Sequence, residues 1–108
     1  MKAIVVGPDR GIADALEAEG VEITRLEGVA SGERLEDAGV ADADLLVITD
    51  AGEATAVPVA REQNPDLKTV AYTPDSMPEF VKGVLDLAVD PALLDPETVA
   101  EELVEPDS

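Results

Sequence analysis

The chain of 108 residues contains no cysteine and no histidine. Those absences exclude a disulfide framework, a zinc site of the Cys/His type, haem ligation by His, a cysteine nucleophile and a Ser-His-Asp triad. Tryptophan is missing too, and Tyr72 and Phe80 are the only aromatics. Two rings are too few for a platform that stacks bases. Basic residues are scarce: 7 Lys and Arg stand against 25 Asp and Glu, and only Lys2, Lys68 and Lys82 are lysines. No basic stripe exists, so binding to nucleic acid is not expected. No apolar run approaches the roughly 18 residues that a membrane span requires, so no membrane insertion is expected. The first residues, Met1-Lys2-Ala3-Ile4-Val5-Val6-Gly7, are too short an apolar stretch for a signal peptide and read as a strand.

What is present is acid and aliphatic carbon. The net charge of −18 far exceeds what solubility needs. In dilute salt such a chain repels itself; at about 1 M salt the Debye length is roughly 3 Å and the repulsion is screened. The composition therefore reads as that of a cytoplasmic protein from a salt-accumulating organism. Disorder is not expected, because 45% of the residues are hydrophobic and they fall in ordered runs. Alanine supplies 16 of these residues, and the core must rest on 14 Val, 11 Leu and 4 Ile.

Five short apolar runs recur along the chain, at 3–6, 21–26, 45–48, 68–72 and 85–89. The first and third are continuous and β-branched, as in central parallel strands buried on both faces. The other three admit polar residues and belong nearer an edge. Helical patterns fill the gaps. Ile12 and Leu16 stand four apart before Gly20. Ser31 caps a short helix carrying Leu35 and ending at Gly39. Residues 53–63 are alanine-rich, with Pro58 requiring a late start or a kink. Ser76-Met77-Pro78-Glu79 has the form of a capping box, and Asp95-Pro96-Glu97 opens a last helix with Val99 and Leu103 on one face. Alternation of strand and helix predicts a single α/β domain over 1–104, a three-layer sandwich with a five-stranded parallel sheet of flavodoxin-like order 2-1-3-4-5, and a frayed tail at 105–108.

In such sheets ligands bind beyond the carboxyl ends of the strands. Three loops are then candidates. Gly7-Pro8-Asp9-Arg10-Gly11 leads into a helix N-terminus and offers N–H groups and Arg10, the one cation expected at the cleft. Thr49-Asp50-Ala51-Gly52-Glu53 offers Asp50 and Glu53 as acceptors, with helix capping the ordinary role of Asp50. Thr73 follows the fourth strand. The candidate ligand-binding set is Gly7, Asp9, Arg10, Gly11, Thr49, Asp50, Glu53 and Thr73; no catalytic or metal-ligating residue is assigned. Asp9, Asp50 and Thr73 also invite comparison with phosphoacceptor receiver domains. Those carry an acidic pair after the first strand, an Asp after the third, a Thr or Ser after the fourth and a Lys after the fifth. Here the acidic pair is reduced to one, and Val89-Asp90-Pro91 supplies no Lys to neutralise a phosphoryl group.

Residues 21–74 resemble the nucleotide-binding domain of potassium-uptake and potassium-channel regulators, the TrkA-N or RCK family. The resemblance rests on Leu26-Glu27-Gly28-Val29-Ala30-Ser31 as a strand end, on the helix and turn from Glu33 through Ala38-Gly39-Val40 to Asp44, and on Thr49-Asp50, Glu53 and Asn64-Pro65. It implies a shortened Rossmann domain lacking that family's second strand, ribose-binding acid and second helix, and lacking a full G-x-G-x-x-G. The chain is also similar to small acidic haloarchaeal proteins labelled "CTP synthetase". It has neither the G-x-x-x-x-G-K-[ST] loop nor the Cys-His pair which that synthesis requires. The expectation is a non-catalytic nucleotide-sensing or protein-interaction module, with a nucleotide as its ligand and a protein partner or a second copy as its associate. The alternatives are a small enzyme or accessory of nucleotide metabolism, and a degenerate receiver-like interaction domain.

Overall fold

The computed structural model describes residues 1–27 and 31–104. Gly28, Val29 and Ala30 of the strand-end motif, and the tail 105–108 expected to fray, lie outside the described residues. Five strands, β1 (Lys2–Val6), β2 (Glu22–Leu26), β3 (Leu45–Ile48), β4 (Lys68–Tyr72) and β5 (Leu87–Val89), form one parallel sheet in the order β2-β1-β3-β4-β5. This is the flavodoxin-like α/β order expected from the sequence. Register is continuous across the centre: Val5 stands beside Arg25 on one side and Val47 on the other, and Val47 beside Val70.

Strand periodicity divides the core. Ile4, Val6, Leu46 and Ile48 face one way, toward α2 (Gly32–Asp37), α3 (Ala56–Gln63) and α4 (Glu79–Lys82). Ala3, Val5, Leu45 and Val47 face the other, toward α1 (Ile12–Ala18) and α5 (Pro96–Val104). The two central strands are buried on both faces, which is why they read as unbroken apolar runs. Thr69 is the polar exception inside β4. It is fully buried; its hydroxyl donates to the Val84 carbonyl (2.9 Å) and its N–H to Asp86 Oδ2 (2.8 Å).

Local signals set most helix ends. Ser31 Oγ accepts from the Arg34 N–H at 3.2 Å, and Gly39 turns the chain at φ 86°. Pro58 is the third residue of α3, in the first turn, where its missing N–H has no helical partner to lose. A 3₁₀ turn at Ala51–Glu53 precedes that helix, so it does start late. The capping box at Ser76 does not form. Pro78 is extended (ψ 151°) and itself precedes the first residue of α4. The helical region is disfavoured for a residue before proline, and Met77 lies outside α4, buried in the core.

Candidate functional site

The carboxyl ends of β1, β3 and β4 bring the candidate loops to one edge of the sheet, but most of their polar groups are spent on one another. Gly7 has φ 116° and packs so close to β3 that a Cβ there would stand 2.5 Å from Thr49 Oγ1. Thr49 is fully buried; its hydroxyl donates to the Pro8 carbonyl at 2.7 Å. Arg10 is half-buried and donates through Nε to the Thr49 carbonyl at 2.6 Å. Asp9 Oδ1 accepts from the Gly11 N–H at 2.8 Å, and Gly11, at φ 85°, sits at the entrance to α1. Asp50 Oδ1 accepts from the Gly52 N–H at 2.9 Å, its ordinary capping role. Thr73 is buried, with its hydroxyl 3.4 Å from Asp75 Oδ2.

Three of the eight candidates, Gly7, Asp9 and Glu53, line one shallow hollow of about 440 Å³, together with Pro8, Arg25 and Glu27. Arg10 does not line it; its Nε is turned to the Thr49 carbonyl, where the first and second candidate loops meet. The cation is Arg25, whose Nη2 donates to the Gly7 carbonyl (3.3 Å) and whose Nη1 lies 4.0 Å from Asp9 Oδ2. Its position one residue before the carboxyl end of the second apolar run was the signal that could have found it. Thr73 belongs elsewhere. It lines a second groove, of about 550 Å³, walled by Ala71, Met77, Leu85, Leu87 and Val89.

The electrostatics of the hollow are acidic: Asp9, Glu27 and Glu53 stand against one guanidinium. Such a lining opposes a polyphosphate. Among the described residues no group of three or more carboxylates converges so as to hold a metal ion. Of the three lysines, only Lys82 lines a groove at the carboxyl ends of the strands, the one that Thr73 and Asp90 also line. Lys2 and Lys68 begin β1 and β4, at the opposite edge of the sheet, and Lys82 lies on α4. The residues following β5 are Asp90 and Pro91. Behind this edge, the buried Tyr72 hydroxyl donates to the Leu94 carbonyl at 2.9 Å. Burial, then the Asp95 and Glu97 carboxylates, raise its pKa, while the Arg10 charge opposes them.

Comparison with known proteins places this architecture. The structure of HP1043, an orphan response regulator of H. pylori, superposes with a TM-score of 0.73 at 14% identity, covering 95% of this chain and 92% of that one. A pilus assembly protein (CpaE) from Burkholderia thailandensis gives 0.67 at 18% identity, over 95% and 94%. A protein described as an atypical orphan response regulator with a phosphorylation-independent regulatory mechanism gives 0.67 at 14%, over 94% and 91%. No curated protein matches the sequence. A family model described as "Family of unknown function (DUF7126)" matches residues 3–103.

These findings correct the resemblance to TrkA-N domains and to proteins labelled "CTP synthetase": the solved structures of like fold are response regulators and a pilus assembly protein, and the family model that matches is of unknown function. The motifs behind the first resemblance have local structural work. Asn64 Nδ2 donates to the Val40 and Ala43 carbonyls (2.9 and 2.8 Å), and Gly39 supplies the left-handed turn. Asn64 and Gly39 thus join α3 to the turn that precedes β3.

Proposed function

The chain belongs to the DUF7126 family of unknown function, and from its receiver-like fold we propose that it is a protein-interaction domain that works without phosphoryl transfer. The observation that carries the reading is the end of β5, where Asp90 and Pro91 stand in place of a lysine. Phosphoryl transfer develops negative charge on the transferred group, and a cation must meet it. An aspartate there acts in the opposite sense. Two further features support the reading. Asp50, the residue placed like a phosphoacceptor, is engaged as a cap to Gly52. Asp9, the remaining acid of the first loop, is engaged by the Gly11 N–H. The solved relative described as phosphorylation-independent is a precedent for such a use of the fold. The reading assigns no nucleotide to the hollow at Gly7, because its carboxylates repel polyphosphate.

The test is incubation with acetyl phosphate and Mg²⁺, followed by intact-mass measurement and mapping at Asp50. The expected mass is that of the unmodified chain. A phosphoryl group on Asp50 would overturn the reading.

A further inference from the structure

Among the described residues, five large hydrophobic side chains are exposed: Met1, Phe80, Leu87, Leu93 and Leu94. Four of them fall between positions 80 and 94, the stretch that also supplies one wall of the 550 Å³ groove. Scattered exposed apolar residues need no explanation, but one on the wall of a groove does, and of the five Leu87 lines it. The stretch is also fixed in place. The Asp90 carbonyl accepts from the Leu93 and Leu94 N–H groups, Asp90 Oδ1 accepts from the Ala92 N–H, and Tyr72 holds the Leu94 carbonyl. Leu93, at 79% exposure, is thus presented to solvent by an ordered turn.

β5 adds a second feature. It pairs only with β4, so its outer edge is open among the described residues, and Leu87 and Ala88 are exposed on it. An extended segment laid along that edge would satisfy the free backbone groups and bring alternate side chains over the groove. The charge of the lining selects its character. Asp75, Asp86 and Asp90 line the groove with Lys82 as the one cation. Lys82 lies 3.4 Å from Glu79, and Asp86 is met by Arg61 at 3.3 Å; among the described residues neither Asp75 nor Asp90 is in an ion pair. A second copy of this chain is disfavoured there, because each copy carries −18 and would bring the same acids to the same place.

We propose that the groove along β5 receives an extended segment of another protein in which apolar residues alternate with Lys or Arg. The apolar residues enter beside Leu87 and Val89, and the cations meet Asp75 and Asp90. The inference rests on the protein-interaction reading but not on the acetyl phosphate result, so the two fail separately.

Three synthetic peptides titrated into the ¹⁵N-labelled full chain test it: alternating Val and Lys, alternating Gly and Lys, and alternating Val and Glu. The Val–Lys peptide is expected to shift the amides of Thr73 and Leu87–Val89, with the Gly–Lys peptide binding about tenfold more weakly and the Val–Glu peptide not at all. Leu87→Ser removes an apolar contact and Asp75→Lys reverses a charge; each should weaken the Val–Lys peptide about tenfold, with the remaining amide spectrum unchanged as the check on folding. Shifts spread over other surfaces, equal binding of the Gly–Lys peptide, or no shifts at millimolar peptide would overturn the proposal. So would concentration-dependent dimerisation in sedimentation that broadens the groove resonances, since the occupant would then be a second copy.

Discussion

Gly7 shows how one residue can be read two ways. A glycine after the first strand of an α/β sheet suggests a loop that lets a ligand approach the backbone. Here the close approach is made by the protein's own Thr49, and φ 116° adds a conformation that L-residues rarely adopt. Gly7→Ala should therefore cost about 1–3 kcal/mol in urea denaturation. Gly83→Ala is the contrasting case, with φ −78° and no atom near the new Cβ, and should be neutral or slightly stabilising. Tyr72 carries a second prediction. Tyr72→Phe removes the bond to the Leu94 carbonyl and should cost on the order of 1 kcal/mol. Burial, with Asp95 and Glu97, raises the phenol pKa in the folded state, so the folded chain holds that proton more tightly than the unfolded one. The corresponding stability is complete below the ordinary tyrosine value of 10.0 and is lost as pH rises through the higher folded value. Equilibrium unfolding across that alkaline range should show a shallower loss for Tyr72→Phe than for the parent chain.

At the scale of elements, the helix ends with short-range signals were legible and those shaped by neighbours were not. Ser31 and Asp95 cap as their positions announced, Asp95 Oδ1 accepting from the Thr98 N–H at 2.8 Å. At Ser76 the capping-box pattern is overridden by the restriction that proline places on the residue before it. Asp95 gives the acid-side prediction. Its bonds to Thr98, from side chain and backbone, lower the carboxyl pKa below 3.8. The stabilisation it brings to α5 is present above that ordinary value and is lost as pH falls through the lower folded one. Asp95→Asn keeps an acceptor for the cap but cannot titrate. Far-UV circular dichroism between about pH 5 and 2 should show a flatter acid limb for the variant; an unchanged limb would remove Asp95 from the acid transition.

Over the whole molecule the charge dominates. Only three ion pairs are found among the described residues, and each involves side chains that are substantially exposed. Such pairs contribute little, and they cannot offset the mutual repulsion behind a net −18. The melting temperature should rise steeply between about 0.1 and 2 M KCl as the Debye length falls from roughly 10 Å to below 3 Å. A flat series would show that the carboxylates are spaced widely enough for their repulsion to be negligible.

The order and direction of the strands were open to inspection in one dimension. Alternating apolar runs and helical stretches imply a parallel sheet, and the runs buried on both faces, β1 and β3, had to lie at its centre. The lack of a lysine after β5 was equally plain. What the loops do with their polar groups was not, because each bond joins segments far apart in sequence. Arg10 reaches Thr49 across 39 positions, Arg25 reaches Gly7 across 18, and Asn64 reaches Val40 across 24. A side chain drawn inward by such a partner is chemically identical, in the sequence, to one left free for a ligand. The concentration of exposed apolar groups at 80–94 is likewise a tertiary fact. Leu87 is a leucine like the buried Leu45 and Leu46, and it is exposed on β5, where the sheet ends among the described residues.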